Sequence, residues 1–438
     1  MPACGATQIE WLRIAVKMLA VSVVEHRGWL PHTVNRYTPA RFSAETRMIG
    51  MFSFVAIFPV LLFFAFKFSQ ELRMLQKALV LVLVVASIAG CIGCGSTANH
   101  YLYATIPTAN QVVVYREDPN SGVLTQISGS PYAAGDGAHS LVLHPSGKFL
   151  YVANPGQGEN DISQFNIASD GSLTEPNPRT SVAPNASVPN LLAMDPGGAF
   201  LYVANVGSNN ISVFSIDSSS GALTQLAGSP FLIGLSALNM QLTPSGGFLY
   251  VSASSTPFGL VAGFSLTAGI PQLVSVTSTD GVNPNGLAID PSGTFLYAAN
   301  NTPSNSISIF AINPDGTLSQ VSGSPLSDTY TSPVAMILDP KGQFLYVANQ
   351  GSSNVSVYSI SSKTGLPAIL TTSTTTGAFT TEGGPSVLVV DPKGKYLFVG
   401  NQGTSAGIQA FGVSSGTLTT LSTYNVGTTP SSIAVLSK

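Results

Sequence analysis

The sequence predicts an all-β protein, a seven-bladed β-propeller over residues 97–438, and three observations predict it. One phrase recurs down the chain at near-constant spacing. Each recurrence carries the turn chemistry of a four-stranded unit. The first unit lacks an opening strand, and the last residues supply a segment of that kind.

The phrase reads His144-Pro-Ser-Gly-Lys-Phe-Leu-Tyr-Val-Ala-Asn154 and returns as Asp195-Pro-Gly-Gly-Ala-Phe-Leu-Tyr-Val-Ala-Asn205. Further copies start at Thr243, Asp290, Asp339 and Asp391. The first unit keeps only Tyr101-Leu-Tyr103-Ala-Thr. The marker aromatics are Tyr103, Tyr151, Tyr202, Tyr250, Tyr297, Tyr346 and Phe398, with gaps of 48, 51, 48, 47, 49 and 52. A fixed period of this size marks a repeat architecture.

Each unit parses into four strands. In the second, Ser140 to His144 forms the first strand and Phe149 to Asn154 the second. Asp161 to Ile167 forms the third, setting Ile162, Gln164 and Asn166 against Ser163, Phe165 and Ile167. A turn at Ser169-Asp-Gly-Ser leads to a fourth strand at Leu173. Asp-Pro-x-Gly is turn chemistry, because Asp caps its own backbone, Pro presets φ and Gly follows. Four-stranded units repeated around an axis are propeller blades. Pro430-Ser-Ser-Ile433-Ala-Val-Leu436 matches the opening strands. It is expected to complete the first blade and leave no open sheet edge.

Composition agrees. The chain is 44% hydrophobic and 8% charged, with 43 glycines, which suits short strands and turns rather than helices. Before Cys91 there are nine Lys/Arg and four Asp/Glu, a net of +5; after it, eight and sixteen, a net of −8. An acidic, cation-poor domain has no electrostatic footprint for nucleic acid. It also holds phosphorylated substrates poorly. None of Cys4, Cys91 and Cys94 falls in the propeller, so no disulfide framework or cysteine metal site is expected there. The loops show no acidic cluster for Ca²⁺, and no metal or cofactor is expected. An HExxH motif is absent from the sequence, and neither a GxSxG elbow nor a phosphate-cradling loop, each of which needs a helix behind it, is expected.

The N-terminal part divides into three. Residues 1–48 show no apolar period and are expected to be a poorly ordered extension. Residues 49–68 are a candidate transmembrane helix, or belong to an over-extended gene start. Residues 74–91 read as a lipoprotein-type signal peptide, with Lys77 ahead of the apolar run Ala78 to Ala89. The segment Ile88-Ala89-Gly90-Cys91 resembles a bacterial lipobox. That resemblance implies lipidation at Cys91 and a place in the cell envelope, on the periplasmic side or the cell surface.

A propeller puts each opening strand nearest the axis, so the residue that starts it rings one mouth of the channel. These residues are His139, Asn190, Leu238, Asn285, Val334 and Ser386, with Ser431 from the closing strand. The polar members His139, Asn190, Asn285, Ser386 and Ser431 form the candidate ligand-binding ring. His139 alone titrates, with an ordinary pKa near 6.5 that suits a general base. Asp195, Asp290, Asp339 and Asp391 are expected to be turn residues, as is His144 in the same position. Asp136 and Glu382 fall in loops on the mouth face and read as solvated charges.

The phrase G-x-x-H-x-x-x-x-P-x-G-x-F-L-Y-V-A-N resembles the lactonase family of seven-bladed propellers, including 6-phosphogluconolactonases, and is similar to YVTN-type surface repeats. The resemblance covers residues 100–437. It implies that the enzymatic members use a His at the start of an opening strand, which His139 matches, with Arg and Glu of other blades. Where the family has Pro-Arg-His, this chain has Pro284-Asn285-Gly286. Where an acid follows the aromatic strand, it has Asn300-Asn301 and Asn349-Gln350. The expected function is therefore an envelope-anchored monomer that binds a small lactone, a glycan or a protein at its mouth and no nucleic acid. The alternative is a lactone hydrolase using His139.

Overall fold

A computed structural model describes residues 99–438, apart from 157, 177, 183, 372–376 and 404–405. The expectations for the N-terminal extension, the apolar run, the signal peptide and Cys91 fall outside the described residues.

Seven sheets form the blades. Strands are called a to d from the axis outward. Blade 1 is built from Ser432–Ser437 (a), His100–Ile106 (b), Gln111–Glu117 (c) and Leu124–Gln126 (d). Its strand a comes from the far end of the propeller, pairing Thr105 with Ser432 and His100 with Ser437. The expected closure is therefore present.

Strand b explains why the phrase Phe-Leu-Tyr-Val-Ala-Asn does not alternate. In Phe149–Asn154 every residue is buried, because both faces of each blade are covered by neighbours. A continuous apolar run is what such a strand requires. Its side chains feed two different cores. In blade 1, Tyr101 and Tyr103 pack with Leu150 and Val152 of blade 2, whereas Leu102 and Ala104 pack with Phe398 and Ile408 of blade 7. Burial of each such side chain stabilises by about 1.5–3 kcal/mol.

The outermost strand departs from the simple four-strand reading. In blades 4 and 7 it is one strand, Ile270–Ser278 and Thr417–Asn425. In the other five it breaks into two short pieces that both pair with strand c. In blades 1, 3 and 5 the break is a Gly-Ser-Pro segment. Proline cannot donate to a ladder, and the serine makes good the gap. Ser130, Ser229 and Ser324 use their hydroxyl oxygens to accept the backbone N–H of Val114, Val213 and Ile309, at 2.8, 2.9 and 2.9 Å.

Adjacent blades are locked by a repeated contact. The c–d turn of each blade ends in a glycine that lies on the aromatic ring starting strand b of the blade before it. A Cβ on Gly171 would come 2.3 Å from Tyr101, one on Gly221 2.6 Å from Phe149, and one on Gly122 2.5 Å from Tyr396. These glycines also have positive φ, at +82°, +74° and +70°, a region only glycine enters without cost. In four blades the marker tyrosine also bonds the same glycine. Tyr103, Tyr151, Tyr250 and Tyr297 donate to the carbonyls of Gly171, Gly221, Gly316 and Gly365 at 3.1, 2.7, 2.9 and 2.8 Å. Tyr346 is an exception, its hydroxyl buried without a hydrogen-bond partner. It faces blade 7, where strands c and d join through the tight turn Ser415-Gly416, and that turn does not bring a glycine carbonyl to the hydroxyl.

Candidate functional site

Each strand a begins with an irregularity. The registers skip one residue between Pro189 and Leu191, Ala237 and Asn239, Pro284 and Gly286, Pro333 and Ala335, and Pro385 and Val387. The skipped residues are Asn190, Leu238, Asn285, Val334 and Ser386, the mouth positions read from the repeat. A β-bulge leaves its extra residue off the ladder and re-aims the side chain. His139 sits in the same setting: its N–H donates to Ala153 O while Ala153 N–H donates to Ser140 O, both at 2.9 Å. The N–H of Ser431 donates to Thr105 O at 3.1 Å. All seven ring residues are half-buried.

The chain entering the bulge is held in an unusual shape. Val188, Asn283 and Ser332 have φ of 56°, 48° and 55°, and each precedes a proline. Asn and Ser tolerate this region better than a β-branched residue, so Val188 is strained. Its N–H donates to Asn160 Oδ1 at 2.6 Å, which holds the turn.

Hydrogen bonds link the ring from blade to blade. Ser386 Oγ lies 3.1 Å from Gly400 O and 3.4 Å from Pro430 O. Ser431 Oγ donates to His139 O at 2.6 Å, and His139 Nδ1 lies 3.1 Å from Asn190 O. Asn239 Nδ2 donates to Asn285 O at 3.1 Å. A carbonyl only accepts, so Nδ1 of His139 carries the proton and Nε2 presents its lone pair. Burial holds the imidazole below its ordinary value, partly opposed by the bond to Asn190.

The other sequence candidates separate clearly. Asp195 accepts the N–H groups of Phe200 and Gly197 at 2.5 and 3.0 Å, and Asp339 and Asp391 bond in the same pattern. They are turn residues. His144 belongs with them, its Nε2 3.0 Å from Gly198 O. Asn300 and Asn349, the first residues of the two pairs that stand where the resemblance implies an acid, are fully buried. Their amides donate to Ser308 and Ser356 at 2.8 and 3.0 Å, so they hold strands b and c together. Asp136 is half-buried in its loop, and its Oδ1 accepts the Asn110 amide at 3.0 Å. Glu382 is exposed and accepts the Thr423 hydroxyl at 2.7 Å. Arg179 is engaged by Glu175 at 2.8 Å and Glu159 at 3.2 Å, so its charge is already matched. Sequence reasoning missed the bulges. The only trace it had of them was proline one place ahead of five of the seven ring residues.

The model of the family described as lactonase, 7-bladed β-propeller, matches residues 95–232, 234–327 and 288–377. A 6-phosphogluconolactonase of Enterobacter sp. (strain 638) is 23% identical over 252 residues, spanning 47% of this chain and 75% of that protein. A 6-phosphogluconolactonase of Formosa agariphila is 38% identical over 108 residues, 24% of this chain and 30% of that protein. The solved structure of a periplasmic gluconolactonase of Pseudomonas aeruginosa superposes with a TM-score of 0.60 at 19% identity, covering 78% of this chain and 99% of that one. Family model, repeat and topology agree, and the chain belongs to the lactonase family of seven-bladed β-propellers.

Proposed function

We propose that this propeller binds an uncharged, hydroxyl-rich ligand, a sugar lactone or a glycan, at the mouth ringed by His139, Asn190, Asn285, Ser386 and Ser431. The observation that carries the reading is the repeated bulge, which turns neutral hydrogen-bonding groups off the ladder around one axis. No lysine or arginine stands in that ring, and a phosphate group needs cations to be held. The sugar-phosphate lactone named for the curated relatives therefore suits the site less well than an uncharged lactone. We place the domain in the cell envelope, anchored by a lipid on Cys91.

A second reading, lactone hydrolysis, is favoured by His139. Its Nε2 lone pair can take a proton from a water whose oxygen attacks the lactone carbonyl carbon. The tetrahedral intermediate expels the ring oxygen, which recovers the proton from Nε2–H, giving the open-chain hydroxy acid. The test is proton release by the purified full-length chain over a panel of uncharged and phosphorylated sugar lactones, beside His139→Ala. Titration calorimetry is run with the same compounds and with neutral glycans. Binding of uncharged lactones or glycans without turnover supports the first reading, and turnover lost in His139→Ala supports the second. Neither binding nor turnover on any compound refutes both. Radiolabelled palmitate incorporation that survives Cys91→Ala refutes the anchor.

A further inference from the structure

We propose that the seam between blades 7 and 1 holds one divalent first-row transition ion, bound by His100, Glu117 and Asp391. This site lies at the opposite end of the blades from the mouth. His100 begins strand b of blade 1, Glu117 ends strand c directly across from it, and Asp391 belongs to the a–b turn of blade 7. One ligand atom from each lies within 4.8 Å of the others, and all three residues are buried.

Three observations point to a ligand. First, His100 and Glu117 are fully enclosed, yet both imidazole nitrogens and both carboxylate oxygens lack a hydrogen-bond partner. Their closest approach, Nδ1 to Oε2, is 3.5 Å. Buried polar groups left this way cost about 1–3 kcal/mol each, so a native site of this kind calls for an occupant. Second, two carboxylates share the pocket, and among the described residues no lysine or arginine is buried. Third, the chain's own repeats mark Glu117 as out of place. The residue that bonds the start of strand b from the end of strand c is Ile167, Ile216, Leu266, Ile312, Ile360 and Val413 in blades 2 to 7. Only blade 1 puts a charge there. Only in blade 1, too, do strands a and b come from opposite ends of the propeller, leaving no a–b turn to fill the corner.

The donor set selects the ion. One imidazole and two carboxylates suit zinc or manganese better than an all-oxygen Ca²⁺ site. Bonds of about 2.0–2.2 Å in a tetrahedron put ligand atoms about 3.4 Å apart, close to the His100–Glu117 separation. Asp391 Oδ2 accepts only the N–H of Lys393, at 3.1 Å, and has a lone pair to spare. The ion would tie the first blade to the last, at the seam where closure depends on a single strand.

The experiment uses the full-length, untagged chain, produced with zinc in the growth medium and purified in mild detergent with its cysteines alkylated. Metal content is measured by mass spectrometry, and the thermal midpoint with and without a chelator. The expected result is one zinc per chain and a midpoint lowered by the chelator. Glu117→Ile, which restores the residue type of the other blades, is expected to carry no zinc and to melt independently of chelator. Glu117→Gln, which keeps the shape, serves where the first variant does not fold. Wild-type protein free of zinc, or a Glu117 variant that retains it, overturns the proposal. Manganese supplied instead is expected to be retained less well.

Discussion

The tyrosine that marks each repeat is there for its hydroxyl as well as its ring, and a pair of substitutions separates the two. Tyr151→Phe keeps the ring and removes the 2.7 Å bond to Gly221 O in the next blade. A neutral hydrogen bond contributes about 0.5–1.5 kcal/mol net, and an orphaned buried carbonyl costs about 1–3 kcal/mol. The expected loss is therefore about 1–2 kcal/mol. Tyr346→Phe removes a buried hydroxyl that has no partner, and it is expected to be neutral or slightly stabilising. The seventh marker position is already Phe398, so the fold accepts a phenylalanine there. Urea unfolding followed by tyrosine fluorescence and circular dichroism reads both variants against wild type. Equal losses in the two would refute the argument, because only the length of the facing turn distinguishes the sites.

Gly221→Ala faces positive φ and a Cβ only 2.6 Å from Phe149, and it is expected to cost about 3 kcal/mol. Gly158→Ala, at φ +91° with open space around it, is expected to cost only the backbone share, about 1 kcal/mol, in the same urea assay. Deleting residues 430–438 removes strand a of blade 1 and exposes the edge of His100–Ile106. Loss of the cooperative thermal transition is expected, and an unchanged midpoint would contradict the closure. His139 is held below its ordinary pKa of 6.5 by burial. The unfolded chain therefore binds the proton first, and this group's share of stability is complete above pH 6.5 and declines as pH falls through the folded value. The urea-midpoint difference between wild type and His139→Gln should be flat above that pH and drift below it; a difference constant down to pH 5 would mean that the imidazole is not desolvated.

Turns and runs carry local information, and they were legible. Asp195 in Asp-Pro-Gly-Gly accepts backbone N–H groups two and five residues on, a bond that any reader of the turn could expect. The ring positions were legible as positions, because the repeat counts them out. Their bulges were not, since a register shift depends on how strand a meets strand b. The bond between Asp136 and Asn110 was not legible, because Asn110 comes from the preceding blade.

By itself, the sequence determined the number of blades, the strand order and the closure. Each of these follows from a pattern that repeats within some fifty residues, because turn chemistry and apolar runs act on near neighbours. Only the tertiary structure decided what passes between blades. Tyr103 and Tyr151 reach glycines 68 and 70 residues on. His100 and Glu117 meet Asp391 only because the ring closes. Such contacts join groups that share no local pattern, and they exist only once the blades have packed.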